Sequence, residues 1–431
     1  MISKNGERKT HGVPAQNGIS FSEYDLDNGM HVILAPSHHV PLVVTNLWYH
    51  VGSKDDPPAR TGFAHLFEHM MFQGSQNVGK TEHFKYIQRA GGSLNATTSV
   101  DRTNYFETLP SGDLELALWL ESDRMLALDV TKENFENQRD VVKEERRQRY
   151  ENKPYGTVWE NIVERLFPTS GYHWTTIGSM EHLNQATIDD VRAFHTEYYK
   201  PNNCSLALVG DFDESEARTL VERYFGPIPK ASEPFRDKQA VEPINTQLRF
   251  SQSDAIKLPA IYIAFQGPFA FSREEYALDL LSYVMDTGRS SRLYQELVYR
   301  RKIARDVETF NYCMEKTGSF VIDAKVQPNS TLDEVESAIW KEIERIREEP
   351  ISELELEKVK NRAEMRTVAS MIELGPRADR LQRAWCFLRD TGYINHELEI
   401  FRSITAEEIR DAAHAYLDPE RAVICHVIPQ A

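Results

Sequence analysis

At 431 residues, 41% of them hydrophobic and 27% charged, the chain is globular in composition and too long for one hydrophobic core, so two or more domains are expected. A formal net charge of −16, from 50 Lys+Arg against 66 Asp+Glu, argues against nonspecific binding to nucleic acid or an anionic membrane surface. No apolar run reaches the length of a membrane span, and the four cysteines form no CxxC pair, which argues against a zinc ribbon and a dense disulfide framework.

The polar start, MISKNGERKTHGVPAQNG, has no apolar core of signal-peptide length. As written the chain reads as cytoplasmic, or as periplasmic or secreted if a leader has been removed. LVVTNLWYHVGS, residues 42–53, alternates and is rich in β-branched residues, which predicts a strand. Residues 61–72 predict a helix ending near Gly74, with Thr61 as its N-cap. Gly91 and Gly92 open a hairpin. Thr131 caps a second, long helix that runs on to Pro154, with Phe135, Val141 and Val142 as a sparse apolar face.

TIDDVRAFHTEYYKPNNCSLALVG (187–210) then reads as helix followed by strand, with Cys204 a buried small hydrophobe, as Cys425 is later. FGPIPKASEPFRDKQAVEPINTQ (225–247), rich in Pro and charge, reads as a linker. Beyond it, AIYIAFQGPF (260–269) and EEYALDLLSYVMDTG repeat the order strand, then helix. TAEEIRDAAHAYLDPERAVICHVI (405–428) echoes 187–210: Thr187/Thr405, Arg192/Arg410, Tyr198/Tyr416 and Pro201/Pro419 coincide at a constant offset of 218. The chain is therefore expected to be α+β, with two homologous domains, 1–225 and 248–431, joined by a linker at 226–247.

Chemistry concentrates in GFAHLFEHMMFQG (62–74). His65 and His69 are four apart, on one helical face within reach of a single ion. A catalytic zinc takes three protein ligands and leaves one position for water, and Glu68 can reach that water without occupying the metal. The order HxxEH is the inverse of HExxH. Two histidines and a glutamate also fall together by chance on ordinary helices, so the pentapeptide alone leaves both readings open. A third ligand must come from elsewhere, and the charged helix after Thr131 offers Glu144 and Glu145.

With these pieces the chain resembles the pitrilysin, or inverzincin, family of zinc metallopeptidases, which includes insulin-degrading enzyme and mitochondrial processing peptidase. It is most similar to bacterial relatives of the processing peptidase beta subunit. In that family the third ligand is a glutamate about 76 residues after the second histidine, on a helix with the pattern RDVVxxE. Arg139 to Glu145 fits this, with Glu145 76 residues after His69. The resemblance implies that His65, His69 and Glu145 hold one Zn²⁺ per chain, that Glu144 faces elsewhere, and that Glu68 is the general base of peptide hydrolysis.

Gly91-Gly92-Ser93-Leu94-Asn95-Ala96-Thr97, followed by Asp101, Thr103 and Tyr105, is similar to the family's GGxxNAxTxxDxTxY segment, an edge strand onto which an extended substrate adds. Asn95 and Ala96 are thereby implied as substrate contacts. GRSSRLYQELVYRRKIARDV (288–307) resembles the family's SSRLYxxLR segment. The fold implied is a pair of mostly antiparallel sheets packed with helices, forming half of a clam-like chamber.

Two departures stand out. Gln138 occupies a place where many relatives have a glutamate beside the ligands, which keeps hydrogen bonding but adds no charge. Val298 and Arg305 stand where catalytically complete relatives carry an Arg and a Tyr that reach the substrate and the developing oxyanion. Either this chain uses other donors, or a homologous subunit lacking the zinc motif supplies the pair. The heteromer is the expected arrangement, and a homodimer is also compatible. The competing function is a non-catalytic scaffold or core-type subunit of the same fold, although such a subunit has no need for His65, Glu68, His69 and Glu145 together. A metal-storage module requires neither Glu68 nor a peptide-binding strand. The remaining histidines, among them His11, His38, His39, His83, His173, His182 and His195, are expected to be exposed or locally bonded. Trp119, Tyr198, Tyr199 and Phe225 are expected in the core or an interface.

Overall fold

A computed structural model describes residues 9–10, 18–236 and 240–430, so His11 and part of the expected linker lie outside the described residues. The chain packs as two compact units, each built on one sheet.

The first sheet contains β1 (Lys9–Thr10), β2 (Ser22–Asp25), β3 (His31–Pro36), β4 (Leu42–Tyr49), β5 (Ser93–Thr98), β6 (Thr103–Pro110) and β7 (Cys204–Gly210), in the order β1-β2-β3-β7-β4-β6-β5. Every neighbouring pair is antiparallel except β3 with β7. The second sheet contains β8 (Leu248–Asp254), β9 (Ala260–Gly267), β10 (Ala304–Cys313), β11 (Gly318–Val326) and β12 (Val423–Pro429), in the order β10-β11-β9-β12-β8, with only β12 and β8 parallel. Read from the parallel pair outward, β3-β7-β4-β6-β5 and β8-β12-β9-β11-β10 have the same order and directions. β4 and β9 begin at 42 and 260 and end at 49 and 267, 218 apart at both ends, the offset read from the sequence echo.

The echoed helices agree in detail. Ile188–Tyr198 and Ala406–Tyr416 both open on a capping box, Thr187 with Asp190 and Thr405 with Glu408, so the coincident threonines are N-caps that satisfy otherwise unpaired backbone N–H groups. Pro201 and Pro419 then each begin a short 3₁₀ turn that feeds β7 and β12.

The helices that flank the site are α1 (Phe63–Met70), α2 (Glu82–Arg89), α3 (Leu114–Leu126), α4 (Lys132–Arg146) and α5 (Val158–Leu166). Thr131 caps α4 as expected, its hydroxyl accepting from the Asn134 amide at 3.1 Å. The α-helix stops at Arg146, and a wider π turn carries the chain to Glu151, short of Pro154. Of its apolar residues Phe135 and Val142 are buried, whereas Val141 is exposed.

Packing departs from the expected halves. The first unit comprises the described parts of Met1–Glu145, Thr176–Lys238 and Val368–His396; the second takes Arg146–Thr175, Gln239–Thr367 and Glu397–Ala431. Helix Leu374–Leu388, from the second half, covers β4 and β7, while α5, from the first half, covers β9 and β12. These helices are counterparts, since residues 158–166 shifted by 218 fall inside Leu374–Leu388. The exchange is fixed by polar anchors that only a buried sheet face can reward. The Gln382 amide donates to the Asn46 and Ser205 carbonyls at 2.7 and 2.9 Å, and Trp385 stacks on His31 with ring centroids 3.4 Å apart. Each such hydrogen bond contributes about 1 kcal/mol.

Cys204, Cys386 and Cys425 are buried and all four cysteines are free thiols. Tyr199 and Phe225 are fully buried core residues. Among the described residues no helix is long and apolar enough to cross a membrane.

Candidate metal centre and peptide edge

α1 is short, and its N-terminus is held by a buried carboxylate. Asp56 accepts from the amides of Gly62 at 2.8 Å, Phe63 at 3.2 Å and Ala64 at 2.8 Å, so one side chain satisfies three of the four amides a helix leaves unpaired. Thr61 is not the cap. Its hydroxyl instead bonds His182 Nδ1 at 2.8 Å and accepts from the Ser179 amide. The cap position is Gly62, at φ 90°, where a Cβ would also meet the Ile177 carbonyl at 2.6 Å. Phe63, Leu66, Phe67 and Met70 bury the opposite face of α1, with Phe67 against Tyr199 at a centroid distance of 4.2 Å.

The polar face carries the motif. His65 Nε2 and His69 Nε2 lie 3.7 and 3.4 Å from Glu145 Oε2 on α4, and one ligand atom from each of the three residues falls within 4.8 Å of the others. Glu144, beside Glu145, is exposed. The set of two imidazoles and one carboxylate, half-buried and mutually within reach, fits a tetrahedral zinc that keeps one position open. Gln138, the departure noted in the sequence, lies beside the His69 ring and favours its charged form. Burial opposes charge on His69, but the Glu145 hydrogen bond and the charges of Glu68 and Glu145 outweigh it, so its pKa rises.

Glu68 points beside this group. Its Oε2 accepts the hydroxyl of Thr98, at the end of β5. Burial raises the Glu68 carboxyl above its ordinary pKa, while the Thr98 hydrogen bond and His69 pull against that rise. Thr98 is the threonine of the NAxT segment, and the motif alone gives no sign that it bonds Glu68. Asp56 gave no sequence signal, since Asp-Asp-Pro-Pro looks like any turn.

Among the described residues β5 is the open edge of its sheet, paired only with β6. Ser99 donates to the Arg102 carbonyl at 2.8 Å across the hairpin, which sets the phase of the ladder: residues 97 and 95 bond inward, whereas Leu94, Ala96 and Thr98 turn their backbone N–H and C=O groups outward. Of the two implied substrate contacts, Ala96 therefore turns its backbone outward, its C=O facing the open edge and its N–H donating to Asn95 Oδ1 at 2.9 Å. Asn95 offers an exposed side chain on the sheet face opposite α1. In the second unit, Val298 is half-buried in a π turn and Arg305 is exposed on β10.

Two other groups of donors among the described residues carry their own cations. His83, Glu107 and Glu121 surround the buried Arg124, and Glu336, with Asp333 and His426, is gripped by Arg249 at 2.8 and 2.6 Å. His83, expected to be exposed or locally bonded, is buried and bonds Glu107 at 3.3 Å.

His195 packs its ring near Phe67 behind the site, and burial, reinforced by Lys200, lowers its pKa to about 4. A histidine whose folded pKa lies below its unfolded value leaves stability intact above pH 6.5 and removes it as the pH falls toward 4. At pH 4.5 His195 alone costs about 2–3 kcal/mol, visible as a lower urea midpoint than at pH 7. His195→Gln should flatten that drop.

Comparison with known proteins decides the family. The model for the insulinase family, peptidase family M16, matches residues 31–179, and the model for the M16 inactive domain matches residues 185–363. The chain belongs to peptidase family M16. This M16 chain is 29% identical to the zinc protease PqqE of Helicobacter pylori, over 78% of its own length and 76% of that protein. Its fold matches the crystal structure of a protease from Helicobacter pylori with a TM-score of 0.91 at 24% identity, over 95% of this chain and 100% of that one. It also matches the crystal structure of pitrilysin with a TM-score of 0.78 at 18% identity, over 99% of this chain but only 46% of pitrilysin.

Proposed function

We propose that this M16 chain is a zinc endopeptidase acting on short or unfolded peptides, completed by a homologous subunit. The observation that carries the reading is the convergence of His65, His69 and Glu145 next to Glu68, on a helix packed against an open sheet edge. Zinc bound there supplies a water of lowered pKa and polarises the scissile carbonyl.

The chain's own groups do the rest. The outward N–H and C=O groups of Leu94, Ala96 and Thr98 pair with an extended peptide, Asn95 Oδ1 giving up the Ala96 N–H as it binds, which requires substrate backbone free of other structure. Glu68 takes the proton of the attacking water and passes it to the leaving amine nitrogen as the C–N bond breaks. The Thr98 hydroxyl holds Glu68 Oε2, so the carboxylate keeps its aim while the proton moves. A donor for the developing oxyanion is missing from this list, because Val298 and Arg305 replace the Arg and Tyr of complete relatives. Pitrilysin, about twice this chain's length, supports the idea that two such chains make one working unit.

A non-catalytic subunit of the same fold is the second reading. The inactive-domain match favours it for residues 185–363, but the four residues of the chemistry fall at 65–145, within the insulinase match. The test is hydrolysis of a quenched fluorescent unfolded peptide by the zinc-loaded chain, with its state fixed by light scattering. Weak turnover alone, rising sharply with a homologous subunit and abolished by a chelator, is expected. Full turnover by a monomer would overturn the pairing, and no turnover in any combination would favour the scaffold.

A further inference from the structure

The proposal concerns the side of β5 away from α1, and it rests on the reading that a peptide adds to that strand. Arg102, at the hairpin's return, reaches back over the face opposite α1. Its Nη1 donates to the Thr97 carbonyl at 2.9 Å, to the Thr97 hydroxyl, and to Asn104 Oδ1 at 3.0 Å. The guanidinium lies 4.9 Å from the Trp48 ring centroid. These contacts hold a permanent cation beside Thr97, whose exposed side chain borders the open edge. Asp379, an acid on this face, accepts from Asn46 at 2.7 Å, Asn104 at 3.3 Å and Trp48 at 3.4 Å.

A strand added outside β5 turns alternate side chains to its two faces. One set points toward α1 and the metal ligands. The other passes Asn95 and Thr97; the guanidinium lies on the β6 side of Thr97, more than one strand spacing of about 4.8 Å from the added strand, so an Asp or Glu side chain there must extend across Thr97 to meet it. We propose that Arg102 is a specificity-determining residue that selects an Asp or Glu side chain on the substrate position facing Thr97. The overall charge of −16 works against acidic peptides, so a preference for one at a single position marks a local contact rather than general attraction.

The experiment measures binding of fluorescent ten-residue Val/Ser peptides to the zinc-loaded Glu68→Gln chain by anisotropy, with Asp and then Lys scanned singly through every position. Asp should tighten binding roughly fivefold at one position, or at alternate positions, the scale of a partly exposed ion pair. Lys should weaken binding there, and Arg102→Glu should reverse both effects. Absence of any position favouring Asp, or an unchanged pattern in Arg102→Glu, overturns the proposal. Hydrolysis of the unsubstituted peptide by the chain with Glu68 intact is read separately. Failure there, with the Asp pattern present, counts against the peptidase reading and leaves the role of Arg102 standing.

Discussion

Replacing Glu68 by Gln should lower turnover of an unfolded peptide by about 10²- to 10⁴-fold while zinc content stays that of the unsubstituted chain. The two side chains have nearly the same shape, and the Gln carbonyl still accepts the Thr98 hydroxyl, so α1 keeps its packing. What disappears is the ability to take a proton from water and return it to the amine. The proposed ligands His65, His69 and Glu145 are untouched, which separates loss of the base from loss of the metal. Near-normal turnover in Glu68→Gln would remove Glu68 from the chemistry.

Replacing Arg124 by Met should destabilise the fold by about 3–5 kcal/mol, measured by urea unfolding at pH 7. Arg124, on α3, is 1% exposed and donates through Nε to Glu121 at 2.9 Å, with Glu107 on β6 3.7 Å away. Its guanidinium also lies over the rings of Tyr105 at 4.3 Å and Phe72 at 5.1 Å. Two buried acids share this one cation, and burial works against the charge of Glu121 even with Arg124 beside it, raising its pKa. Without the arginine both acids are left in an apolar interior, and that uncompensated burial, rather than the lost attraction, sets the size of the effect. Adding Glu121→Gln to Arg124→Met should recover part of the loss, since the residues act as one unit. A change under about 1 kcal/mol in Arg124→Met would show that the network does not support β6 and the β5 edge.

What could be read from the sequence follows what is local in the chain. The HxxEH face of α1 is a matter of helical spacing, and the duplication is written in the 218-residue offset that β4 and β9 reproduce. Glu145 came from the resemblance to pitrilysin-type peptidases, not from helix periodicity, which allowed Glu144 equally. The Thr61 cap failed because a threonine before a helix is only a candidate; the Asp56 carboxylate reaches the same amides from outside the helix. The swap of α5 and Leu374–Leu388 between sheets was beyond local reading, since an amphipathic helix records that it has a buried face but not which sheet covers it. The Arg124 cluster was hidden for a similar reason: its members lie on α2, α3, β4 and β6, and each looks like an ordinary polar residue until the chain folds.

The measurement closest to the central claim is zinc K-edge X-ray absorption on the purified chain, combined with metal stoichiometry. One zinc per chain is predicted, with two imidazole nitrogens at about 2.0–2.1 Å and a carboxylate oxygen in the first shell. Glu145→Gln should lose that oxygen and most of the bound metal. No zinc retained after supplementation, or a shell without two imidazoles, would contradict the assignment of His65, His69 and Glu145 as the metal centre.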